Sequence, residues 1–173
     1  KYIHDQSMRL ANMGLTPDEI AEEIEMPASL QQQFYNRGYY GTLKHNAKAV
    51  YQHYYGWYDG NPANLDALTQ IDAGKKYIAL MGGADTVVVA AQAAYDSGEY
   101  RWVAQLLNHL VFAEPDNKQA RGLLARAYDQ LGYLAESGVW RDVYLNGALE
   151  LRNGVSEKGM NMADAKGIIT QTP

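Results

Sequence analysis

A seven-residue phrase is echoed in this chain: Ala94-Tyr95-Asp96-Ser97-Gly98-Glu99-Tyr100 returns as Ala127-Tyr128-Asp129-Gln130-Leu131-Gly132-Tyr133, with the two glycines 34 positions apart. That is the period of the tetratricopeptide repeat, whose unit is a pair of antiparallel helices unable to bury its apolar face alone. Between the copies, Ala113-Glu114-Pro115-Asp116-Asn117 closes one helix and opens the next, because proline bars continuation and acidic residues favour a new N-terminus. The spacing predicts two helical hairpins, pairing residues 84–97 with 99–113 and residues 118–131 with about 134–152. Stacked arrays normally need about three units, so this pair must borrow a covering surface from the N-terminal helices or from another chain. The fold class that follows is all-α, a helical bundle with two tetratricopeptide-like hairpins.

The N-terminal third carries helical signals of a different kind. Ile3, Ser7, Leu10 and Ala11 share one small or apolar face from the first residues on, as helical periodicity requires. Thr16-Pro17-Asp18-Glu19 combines an N-cap hydroxyl, proline at the first helical position and a glutamate three residues after the cap, which is a capping box. The helix it starts should run through Ile20, Ala21 and Ile24 to Met26, where Pro27 ends it, since the residue before proline avoids the helical region. A short helix is expected over residues 29–35. Arg37-Gly38-Tyr39-Tyr40-Gly41 then suits a tight loop that displays aromatic rings. Leu43, Ala47, Val50, Tyr51 and Tyr54 form one stripe of a helix that Gly56-Trp57-Tyr58-Asp59-Gly60-Asn61-Pro62 closes with turn formers. Residues 1–153 therefore read as one domain, with N-terminal helices and an aromatic loop to about 62 and the hairpins from about 84 to 152. Residues 154–173, weak in apolar periodicity, read as a linker toward a further domain. Lys1 enters an amphipathic pattern without an initiator Met, as expected of a piece of a longer chain.

Composition removes several functions. With no cysteine there is no thiolate ligand or thiol nucleophile. A net charge of −5 and a pI near 5.3 oppose binding to a phosphate backbone, so no nucleic-acid partner is expected. No apolar run approaches the ~18 residues of a membrane span. Cysteine usage leaves the compartment open between cytoplasm and periplasm.

The histidines are His4, His45, His53 and His109. His45 and His53 stand eight apart on one helix, about two turns, too far to share one ion. No metal site and no catalytic constellation is therefore expected within the chain, and His109, amid leucines, reads as a packed, hydrogen-bonded residue. The stretch from Arg37 to Tyr58 is different, because it interleaves Arg37, Lys44, His45 and Lys48 with tyrosines. Cations and phenols together can surround an oxyanion with donors. The same residues equally suit an ordinary surface, with Tyr51 and Tyr54 on the core stripe and the lysines solvated.

Ser29-Leu30-Gln31-Gln32-Gln33, Asn36-Arg37-Gly38-Tyr39-Tyr40-Gly41, His45-Asn46-Ala47-Lys48-Ala49-Val50-Tyr51-Gln52, Gly56-Trp57-Tyr58-Asp59-Gly60-Asn61-Pro62 and Met81-Gly82-Gly83-Ala84 together resemble the alkyl sulfatase family. The similarity extends through Glu99-Tyr100-Arg101-Trp102-Val103-Ala104 and Leu107-Asn108-His109-Leu110-Val111-Phe112-Ala113, so it takes in nearly everything to Asn153.

That resemblance implies a helical dimerisation domain lying between a metallo-β-lactamase-like domain with two zinc ions and a C-terminal domain similar to sterol carrier proteins. It implies a homodimer, a parent enzyme that hydrolyses alkyl sulfates such as detergents, no zinc ligand within this chain, and a fragment inactive alone. It also implies that the helix bearing the His-Asn-x-Arg/Lys-Ala pattern borders the sulfate pocket, with Lys48 and Tyr54 as the substrate-facing residues and His45 and Arg37 as further candidates. Many relatives in the family have arginine where Lys48 stands, which replaces a planar fork with a point charge. A periplasmic or secreted parent is the family-level expectation. The rival reading is a tetratricopeptide-like module that holds a peptide in its groove.

Overall fold

The computed structural model describes residues 1–155; the expected linker from 154 onward lies almost wholly outside them. Among the described residues there are helices and turns but no strand, so the chain is all-α. The helices are α1 Tyr2–Asn12, α2 Pro17–Glu23, α3 Ala28–Gln31, α4 Leu43–Tyr55, α5 Gln70–Leu80, α6 Ala84–Asp96, α7 Tyr100–Ala113, α8 Lys118–Leu134 and α9 Gly138–Asn153. No single helix among them is long and apolar enough to cross a membrane.

Two separate cores hold these elements. In the first, α1, α2 and α4 converge on Leu10, Ile20, Ile24, Ala47 and Tyr51. The capping box forms as the residues require, with the Thr16 hydroxyl accepting from Glu19 N–H and the Glu19 carboxylate from Thr16 N–H at 2.8 Å. α2 is shorter than the proline rule alone suggests, because Ile24 already turns extended (φ −72°, ψ 123°) to bury its side chain. In place of one short helix before the aromatic loop stand α3 and a 3-10 turn, Phe34–Asn36. On α4 the stripe holds for Ala47 and Tyr51, but Tyr54 leaves the core and is 53 % exposed.

The second core is larger and centres on Val103, Leu107 and Leu110 of α7, packed against α5, α6 and α8. The helical pairs α6/α7 and α8/α9 stand where the spacing puts hairpins. The glycines of the repeated phrase nevertheless do different jobs. Gly98 sits in the α6–α7 turn at φ +81°, a left-handed conformation that glycine adopts freely. Gly132 is buried inside α8, which runs on to Leu134, and a Cβ there would meet Leu145 Cδ2 at 2.9 Å. Its smallness lets α9 lie close, and because α8 continues to Leu134, α9 begins at Gly138, capped by Ser137, instead of near 134.

The covering surface that the hairpins need comes from α5, within this chain. Thr69 caps α5 by accepting from Asp72 N–H at 3.2 Å. Gly74 then brings its backbone against α7 so closely that a Cβ would lie 2.6 Å from the His109 carbonyl oxygen. The two cores meet through few bonds: Gly138 N–H donates to the Tyr39 carbonyl at 3.2 Å, Gly38 N–H to Glu136 Oε1 at 3.0 Å, and Arg101 pairs with Glu22 at 2.9 Å.

Candidate functional site

Helix α4 and the loop before it carry all four candidate residues, and α4 owes its start to Thr42. The Thr42 hydroxyl accepts from His45 N–H at 3.4 Å and lies 2.7 Å from His45 Nδ1. His45 stands edge-on to Trp140 of α9, with ring centroids 4.8 Å apart. Desolvation pushes its pKa down, and the neighbouring Lys48 and Lys44 ammonium groups add to that. A neutral His45 accepts as well as donates, so it offers an anion less than an imidazolium would.

Lys48 forms an ion pair with Asp18 of α2. One turn earlier, Lys44 Nζ lies 2.7 Å from Glu22, whose second oxygen receives Arg101. Those two cations, Lys44 first, hold the Glu22 carboxyl below the usual range. An anion approaching Lys48 therefore competes with a carboxylate already in place. Tyr54 lies six residues beyond Lys48, about 9 Å further along the helix axis and on another face. Its hydroxyl meets His4 Nε2 at 2.9 Å, while His4 Nδ1 meets Asp5 Oδ1 at 3.0 Å. Arg37 lines a concavity of roughly 580 Å³ with Gln31, Asn46 and Glu136, and its guanidinium makes no hydrogen bond among the described residues.

The structure thus does not gather Lys48, Tyr54, His45 and Arg37 around one point within the chain; each meets a different neighbour. Among the described residues no group of three or more His, Asp or Glu side chains could hold a metal ion, so these residues do not fit a zinc centre. His109 is half-buried and packs its ring on Tyr77 at 4.6 Å, where the sequence suggests a hydrogen-bonded residue; among the described residues it makes no side-chain hydrogen bond.

The family model described as alkyl sulfatase dimerisation matches residues 16–154. The chain belongs to the alkyl sulfatase dimerisation family. It is 56 % identical over 158 residues to an alkyl/aryl-sulfatase of Saccharomyces cerevisiae, which covers 91 % of this chain and 24 % of that protein. It is 54 % identical to a linear primary-alkylsulfatase of a Pseudomonas species, over 91 % of this chain and 23 % of that protein. In structure it superposes on a stereoselective inverting sec-alkylsulfatase from Pseudomonas at a TM-score of 0.87, with 52 % identity, over 90 % of this chain and 25 % of the other. This member of the alkyl sulfatase dimerisation family therefore spans about a quarter of the length of the curated relatives it matches.

One feature of this family member escapes sequence reasoning altogether, namely the Asp5–His4–Tyr54 chain. Its partners are 50 positions apart, and only the packing of α1 on α4 brings them together. The lone local cue is that His4 and Asp5 are adjacent.

Proposed function

We propose that this chain is the dimerisation domain of a zinc-dependent alkyl sulfatase, a hydrolase of alkyl sulfate esters. In this reading it joins two copies of the enzyme. Helix α4 presents Lys48 and Tyr54, with His45 and Arg37 beside them, to a sulfate pocket completed by polypeptide outside these residues, where the two zinc ions also reside. The observation that supports it most is the match along residues 16–154, together with 52 to 56 % identity to proteins named as alkylsulfatases.

The chemistry of α4 suits the part assigned to it. Lys48 is a mobile point charge whose present partner, Asp18, is well exposed, so a sulfate monoester could replace that partner at small cost. The Tyr54 hydroxyl, about 9 Å further along the helix and on another face, would add a neutral donor at a second point of the pocket wall. Neither group performs bond cleavage; both would hold the charged head of the ester.

Peptide capture in a repeat-type groove is the weaker reading, since the likeness to alkylsulfatases runs along 91 % of the chain. Two measurements test the proposal. Sedimentation velocity of the 173-residue chain should show a dimer, and a monomer at every concentration would overturn the assembly role. In the full-length enzyme, Lys48→Ala should lower kcat/KM for a long-chain alkyl sulfate by about tenfold, the usual effect of losing one charge-assisted hydrogen bond. Unchanged turnover would remove Lys48 from the pocket.

A further inference from the structure

The path between α4 and α5 is the longest uncovered stretch among the described residues: every position from 60 to 72 is exposed. It is held in shape nonetheless. The Asp59 carboxylate accepts from Asn61 N–H at 3.0 Å and from the Asn64 amide at 2.5 Å, and Asn61 Oδ1 accepts from Ala63 N–H at 3.1 Å. These donors, the Asn61 N–H first, hold the Asp59 carboxyl below its usual pKa. Beyond this braced turn Leu65 (59 % exposed), Leu68 (57 %) and, in the first turn of α5, Ile71 (50 %) stand in water, with Trp57 (71 %) before it. Ordering backbone costs free energy, and apolar side chains repay that only when something covers them. Nothing among the described residues does.

From this we infer that residues 57–76 form the self-complementary face through which two copies of this chain pair. The inference rests on the assembly reading above and gives it a location. Charge points to a second copy as the occupant. Asp59, Asp66 and Asp72 precede or accompany the apolar group, and Lys75 and Lys76 follow it on α5. A two-fold axis through such a patch sets the acidic end of one copy against the lysines of the other, as an isologous interface requires. Size comes close, because 19 of the 20 positions, all but the buried Gly74, are at least partly exposed, just short of the ~20–30 residues a side found in standard interfaces.

Exposed positions make a clean test, since substituting them leaves both cores intact. The double variant Leu65→Asp/Leu68→Asp of the 173-residue chain should keep the parent circular dichroism and melting temperature while its dimer dissociation constant rises at least tenfold in sedimentation equilibrium. A dimer as tight as the parent's would overturn the inference and give the patch to polypeptide outside this chain. Charge reversal provides the second arm. Asp66→Lys and Lys75→Asp should each weaken the dimer, and the two together should restore it; no recovery in the double variant would overturn the two-fold pairing. A parent chain monomeric at all concentrations would sink the assembly reading itself, an outcome distinct from a parent dimer that ignores these substitutions.

Discussion

His4 Nε2 lies 2.9 Å from the Tyr54 hydroxyl, and the Asp5 carboxylate on the other side of the ring favours one direction for that hydrogen bond. Lys1 and then His4 hold the Asp5 carboxyl down to about 2, so it is an ionised acceptor that His4 Nδ1–H must serve. A neutral His4 then has only its Nε2 lone pair for Tyr54, so the phenol donates to it and has no proton left for another acceptor. An imidazolium donates to both neighbours and frees the Tyr54 proton. Nitrogen NMR of the chain in its neutral-histidine form should find the Nδ1-protonated tautomer at His4, and Asp5→Asn should abolish that preference. An Nε2-protonated His4 in the parent chain would show the bond to run the other way.

Lys48→Ala should hardly affect stability of the chain, because its pair with Asp18 is solvent-exposed. Exposed pairs contribute about 0–1 kcal/mol. A urea titration showing a loss of more than about 2 kcal/mol would mean that the ion pair, and not any sulfate contact, is why a lysine stands there.

Gly74→Ala should be costly despite being so small a change. The new methyl would collide with the His109 carbonyl oxygen at 2.6 Å and lift α5 from α7. Overpacking of this kind costs about 1–3 kcal/mol, of the order of the 2–5 kcal/mol expected from Leu107→Ala in the same core. Thermal melts should place both below the parent; an unshifted Gly74→Ala would show that α5 does not clamp the hairpins.

His45 gives the chain one identifiable pH response. Its pKa is lowered from 6.5 in the folded state, by desolvation first and by Lys48 and Lys44 next. The unfolded chain therefore takes up the proton at higher pH than the folded one. Stability from this residue is complete above the ordinary imidazole range and declines as pH falls through it toward the folded value. Denaturant midpoints between about pH 7.5 and about pH 5.5 should fall for the parent and fall less for His45→Gln, the window being that of imidazole titration. Equal slopes would contradict the assignment.

Legibility followed the range of the interaction. The Thr16–Glu19 box and α4 from Leu43 to Tyr55 could be read directly, because caps and apolar periodicity act within a few residues. α5 could not: the centre of its buried stripe is Gly74, which contributes closeness instead of apolar surface. The repeated phrase pointed to the right pairs of helices through a glycine equivalence that the packing does not keep, since Gly98 turns and Gly132 packs. At the candidate site the residue types were visible, but Asp18, His4 and Trp140, which now occupy Lys48, Tyr54 and His45, come from distant segments. Spacing alone cannot announce such neighbours.

Glu22 shares one carboxylate between Lys44 of its own cluster and Arg101 of the other. That bridge is open to solvent and so to screening, which shortens the reach of charges to about 8 Å at physiological salt. The apolar cores on either side feel no such effect. Rising ionic strength consequently weakens this bridge along with the exposed Lys48–Asp18 and Arg152–Asp129 pairs, while the Gly38–Glu136 and Tyr39–Gly138 bonds and the His45–Trp140 contact still tie the halves together. What salt removes at this joint is one exposed ion pair, so the seam between the halves depends on its ionic surroundings more than the apolar core of either half does.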